Sequence, residues 1–141
     1  MKQILFIFAL LGFTLPVVGA PPLPPRTQQQ LSDYETVRRA MQFSVGPVGF
    51  AAVTTPTEKA FRNLLRSPKA AQDCRKLLSE ATTTGQLYGL LGLKLLKDPA
   101  YATAAPRYKV SRREISVASG CIVSPRPVAE IAKYIDSGDL K

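Results

Sequence analysis

Two cysteines, Cys74 and Cys121, and one run of cations, Arg107-Tyr108-Lys109-Val110-Ser111-Arg112-Arg113, carry the definite chemical expectations in this sequence. The rest of catalytic chemistry is thinly supplied. The 141 residues include no His and no Trp. Without imidazole there is no His general base, no Ser-His or Cys-His nucleophile pair and no His-containing metal site. Two Cys do not complete a structural zinc site, and HExxH, P-loop, GxGxxG, GxSxG and Ser-x-x-Lys patterns are all missing. The carboxylates are scattered, and Asp73, Glu80 and Asp98 read as charges on helix surfaces or ends. No catalytic constellation, metal site or cofactor is expected, and the chain reads as a non-enzyme.

Charge gives the cation run its meaning. Nineteen Lys and Arg against ten Asp and Glu make the chain +9. Arg107, Lys109, Arg112 and Arg113 are the candidate anion-binding residues, with Arg38-Arg39 a second basic pair. The alternative is a solvated connecting loop beside Pro106.

The N-terminus supplies an address. Lys2 precedes an apolar run from Ile4 to Phe13, Pro16 breaks it, and Val18-Gly19-Ala20 offers small residues for a signal peptidase. Residues 1–20 are read as a signal peptide cut after Gly19 or Ala20, the alternative being an uncleaved anchor. Removal takes away Lys2 alone and leaves a charge of +8. The expected location is the periplasm or the outside of the cell, where genomic nucleic acid is not an expected partner. An oxidising compartment and an even Cys count predict a Cys74–Cys121 disulfide, the alternative being two separate buried thiols. Such a bridge would close a loop of roughly 47 residues and contribute about 4 kcal/mol.

The elements that must hold these residues are mostly helical. Residues 21–30, with four Pro and a Gln tract, read as a flexible or polyproline spacer, and residues 31–141 as one domain. A first helix runs toward Gly46-Pro47 with a stripe of Leu31, Tyr34, Val37 and Met41. Ser32 is one candidate cap for it, and Thr27, capping a longer helix, is the other. The state of Val48 to Val53 is left open. Thr55-Pro56-Thr57-Glu58 starts a second helix, and Ser67-Pro68 a third that pairs with it as a hairpin. Thr83-Thr84-Gly85-Gln86 opens a helix apolar on nearly every side, so it belongs in the middle of the domain. Gly85, Gly89 and Gly92 share one face of that helix, predicting close packing there.

Ile115 to Ala118 and Cys121 to Ser124 are β-branched runs around Ser119-Gly120, read as a small hairpin or an interrupted strand, with a buried helix the competing reading. Pro125 and Pro127 open a last helix carrying Val128, Ile131, Ala132 and Ile135, with Gly138 as its stop. The expected class is therefore mainly α: a compact domain of about five helices with a small β-hairpin or single strand near the C-terminus.

Thr55 to Glu80 together with Ala81 to Leu96 resembles the paired helices of HEAT or armadillo repeats, although no second copy recurs at a fixed period. Gly120-Cys121-Ile122-Val123 followed by a short amphipathic helix resembles the C-terminal end of uncharacterised exported bacterial proteins. The resemblance spans residues 55–137 and brings no site or activity. The functional expectation is an exported protein acting by contact with another protein, the alternative being an anionic polymer or membrane surface bound through the basic cluster.

Overall fold

A computed structural model describes Pro25 and residues 27–139. The element order is α1 (Gln28–Arg38), β1 (Gln42–Val48), α2 (Pro56–Leu65), α3 (Ala70–Glu80), α4 (Thr83–Leu95), α5 (Ala100–Lys109), β2 (Glu114–Gly120), β3 (Ile122–Pro127) and α6 (Val128–Ser137). The chain is mainly α, with six helices and one three-stranded sheet among the described residues. The expected signal peptide, residues 1–20, lies outside the described residues, as does half of the expected spacer, residues 21–24 and 26.

The helix starts follow local chemistry. Thr27 caps α1, and its hydroxyl accepts from the Gln30 N–H while the Gln30 side chain accepts from the Thr27 N–H. That reciprocal box draws part of the Gln tract into the helix, so order begins before residue 31. Thr55 caps α2 with Pro56 at its first position, and Thr82 caps α4. Glu58 does not reach back to complete a capping box; its carboxylate serves other partners, described below. No side chain caps α3, which begins at Ala70 rather than at Ser67-Pro68.

Packing centres on α4. Leu87, Tyr88, Leu90 and Leu93 are fully buried there. The Tyr88 ring sits between Phe43 and Phe61, at centroid distances of 4.7 and 5.1 Å. The glycine face does what its spacing predicts. A Cβ on Gly89 would come within 2.8 Å of the Cys74 carbonyl oxygen, and one on Gly92 would run into Cys74 Sγ. The α3–α4 pair is consequently the tightest helix contact, and α2 packs chiefly on α1. The expected hairpin of the second and third helices is thus corrected: each finds its main partner elsewhere, because the small-residue face belongs to α4.

Two elements were not expected. Gln42–Val48 forms a strand, β1, parallel to β2, with Phe43 opposite Val117 and Ser44 opposite Ala118 before the register breaks toward Val48 and Gly120. The first helix accordingly stops at Arg38, and Met41 stands 78% exposed instead of completing a stripe. β2 pairs antiparallel with β3 from Glu114↔Pro127 to Ser119↔Ile122, which settles the open reading of this segment as a hairpin. The second surprise is α5. Pro106 sits inside it, at a cost of about 3 kcal/mol for an interior position. Burial of Ala104, Ala105 and Tyr108 holds the helix regardless. In α6 the four expected residues Val128, Ile131, Ala132 and Ile135 are the buried ones.

Both edges of the sheet are blunted. On β1, the Tyr88 hydroxyl donates to the Ser44 carbonyl at 2.8 Å and accepts from the Ser44 N–H at 3.0 Å. The Glu58 carboxylate accepts from the Gly46 N–H at 3.1 Å. On β3, Pro125 and Pro127 have no N–H to offer a further strand.

Candidate functional site

The two cysteines are not bonded to each other, which corrects the expected bridge. Cys74 is fully buried on the α3 face that meets Gly92, whereas Cys121 is exposed in the turn between β2 and β3. Cys121 lies between β-branched runs, but as a turn residue of the β2–β3 hairpin it has no core to face, so the expected alternative of two buried thiols holds for Cys74 alone. Burial, and behind it the Asp98 charge, push the Cys74 thiol up to about 12, so it is an inert packing group.

The basic run is split by the end of α5. Arg107 and Arg113 line one shallow concavity of about 340 Å³, together with Thr83, Gln86, Tyr108 and Ser111. No carboxylate lines it. The Arg107 guanidinium lies 4.8 Å from the Tyr108 ring centre and donates to the Leu78 carbonyl at 3.1 Å and to the Tyr108 hydroxyl at 2.7 Å. The Tyr108 hydroxyl donates on to Gln86 Oε1 at 3.2 Å. Burial raises the Tyr108 pKa, while the charges of Arg107 and Arg113 oppose that rise, as two cations facing one phenol must. The Arg113 carbonyl accepts the first N–H of α6 from Val128, which fixes the rim.

Lys109 leaves the expected quartet. Its ammonium bonds Asp136, which also receives the Tyr101 hydroxyl at 2.9 Å and pairs with Lys94 at 3.5 Å. These neighbours, Lys109 first, hold the Asp136 carboxyl down at about 2. Arg112 is exposed, and neither it nor Arg113 pairs with a carboxylate among the described residues. Arg107 is therefore a built wall of the concavity, Arg113 its uncommitted cation, and Arg112 a neighbour outside it.

The acids are also more buried than their sequence setting suggested. Asp33, Glu58 and Asp73 are all buried, and Asp98 keeps only 6% of its side-chain surface while Arg75 pairs with it at 2.6 Å. Glu58 is 2% exposed; Oε1 takes the Gly46 N–H and the Arg62 guanidinium, and Oε2 has no hydrogen-bond partner. Glu58 works structurally, tying β1 to α2. No group of three or more potential metal ligands converges among the described residues.

One surface was missed by residue-type reasoning. Val48 and Val53 bridge each other, making a tight apolar turn of Gly49-Phe50-Ala51-Ala52 after β1. The Gly49 N–H donates to the Gly120 carbonyl at 2.7 Å, which sets this turn beside the β2–β3 turn. Phe50 is 101% exposed, Ile122 68%, Val123 62% and Val53 52%. The signal for it was a charge gap: no charged residue lies between Arg39 and Glu58, nor between Glu114 and Arg126.

Comparison with known proteins finds no matching family model, no matching curated protein and no matching solved structure.

Proposed function

We propose that this chain is an exported, non-enzymatic protein that acts in the cell envelope or outside the cell by contact with another protein. The observation that carries the reading is the concavity at the end of α5. Arg107 is already positioned by Leu78 and Tyr108, Arg113 pairs with no carboxylate among the described residues, and Thr83 and Ser111 line the same wall without a competing carboxylate. A carboxylate side chain of a partner fits that chemistry, because Arg presents a planar fork of donors to it.

Affinity chromatography of an envelope extract on the chain and on its Arg113→Glu variant tests this. The expected result is a specific protein retained by the first and lost by the second. Retention only of a small metabolite or a polymer overturns it.

A second reading has its own support in Arg112 and Arg113, which are exposed and pair with no carboxylate among the described residues: an anionic polymer or membrane surface bound through the basic residues. Phosphate or sulfate contacts release counterions, so heparin affinity should fall steeply with salt and with reversal of both charges. Indifference to both would remove it.

A further inference from the structure

The uncharged end of the sheet is independent of the basic concavity. We infer that the paired turns bearing Phe50 and Ile122 dip into the interfacial region of a lipid bilayer.

Three observations bear on the occupant. First, the base of the turn carries its own hydrogen bonds and holds the turn in shape. The N–H groups of Val48 and Val53 bond each other's carbonyls at 3.0 Å, the Gly49 N–H bonds the Gly120 carbonyl, and the Ala52 N–H bonds the Gly49 carbonyl at 3.1 Å. The Phe50 and Ala51 N–H groups at the tip have no partner among these bonds, so the turn stays at the hydrated headgroup level, since an unsatisfied peptide group in hydrocarbon costs several kcal/mol. Second, the large side chains exposed on the turns themselves are Phe, Val and Ile; Tyr134 and Arg126 line the concavity that Ile122 borders, off the turns. Pro125 and Pro127 also remove donors that an added strand would need on β3. Third, the chain carries +9 overall and has placed no acid in these turns, so an anionic leaflet attracts the molecule without repelling the tip. The insertion is shallow: among the described residues no helix is long and apolar enough to cross a membrane.

The absence of tryptophan supplies the experiment. Phe50→Trp places a lone indole at the tip, and Val110→Trp places one at an exposed site following α5, near the basic residues. Both are made in the full chain, so the N-terminal apolar run is common to them. Phosphatidylcholine vesicles containing phosphatidylglycerol should shift the indole emission of the Phe50→Trp variant to the blue and expose it to quenching by brominated lipid. Emission from Val110→Trp should stay water-like. Adding Ile122→Ser and Val123→Ser to Phe50→Trp should weaken the insertion about tenfold or more, the factor expected from losing a buried branched side chain. None of these positions is in the core, so the fold is not at stake. No shift at position 50 overturns the inference. A shift at 110 alone assigns membrane contact to the basic residues and overturns it as well. A position-50 shift produced by an added protein and not by vesicles assigns the tip to a protein partner, with the same consequence.

Discussion

Replacing Tyr88 by Phe tests how the sheet is held to the helices. The ring remains, so its contacts with Phe43 and Phe61 are conserved and the change is confined to one oxygen. That oxygen makes two bonds with Ser44, one from the N–H at 3.0 Å and one to the carbonyl at 2.8 Å. Ser44 is 1% exposed, so neither orphaned group can turn to water. Each buried unsatisfied group costs about 1–3 kcal/mol, and two sharing one site should together cost about 2–4 kcal/mol. For a domain of this size that lowers the melting temperature by on the order of 10 °C. Urea denaturation followed by circular dichroism gives the free energy, and amide hydrogen exchange at Ser44 gives the location. The expected pattern is a loss of stability with Ser44 exchange accelerated beyond its neighbours. A loss below about 0.5 kcal/mol with Ser44 protection unchanged would refute the claim that Tyr88 seals the edge of β1.

Three further outcomes are expected. Gly92→Ala should destabilise by about 1–3 kcal/mol, because its Cβ meets Cys74 Sγ; Cys74→Ala in the same chain should recover part of that, and strictly additive losses would count against the contact. Thiol labelling of the native chain should modify Cys121 alone, with Cys74 reacting only on unfolding; an unreduced, unfolded chain with no reactive thiol would restore the bridge. Asp136, lowered from 3.8 to about 2, contributes stability that is complete above the unfolded value and is lost as pH falls through the folded one. The stability difference between wild type and Asp136→Asn should therefore shrink between about pH 4 and pH 2, and a constant difference across that window would contradict the pairing with Lys109.

The helices were legible wherever a cap and a stripe coincided. Thr55-Pro56 opened α2, and Val128, Ile131, Ala132 and Ile135 marked the buried face of α6. Gly85, Gly89 and Gly92 announced a close approach, though not that Cys74 would be the group approached. β1 was hidden because its partner is β2, far along the chain and parallel to it, so no local turn signalled the pairing. α5 was hidden by Pro106, whose local penalty is outweighed by burial that only the folded packing reveals. The basic run was visible as charge, yet its division needed the helix: Arg107 turns toward Leu78 and Tyr108, while Lys109 reaches Asp136. The disulfide expectation failed for a related reason. Compartment and parity say that cysteines can pair, and only topology says whether a core helix and an exposed turn meet.

The way the sheet is finished bears on how the molecule meets its surroundings. A small sheet ordinarily offers partners its edges, and here both are blunted. Tyr88 and Glu58 occupy the backbone groups of β1 from inside, and Pro125 and Pro127 remove donors from β3. What stays open is the end of the sheet, where the Gly49–Gly120 bond locks two turns side by side and leaves Phe50 and Ile122 outside the core. Burying Glu58 with one carboxylate oxygen unpaired opposes folding, since an unmatched polar atom costs about 1–3 kcal/mol. The bond its other oxygen makes to Gly46 anchors the strand that carries the Phe50 turn. Glu58→Gln keeps the acceptor and removes the charge, so it should preserve that anchor while weakening the link to Arg62. If the Phe50 turn nonetheless lost its protection from hydrogen exchange, the anchor would lie in the Glu58–Arg62 ion pair and not in the bond to Gly46.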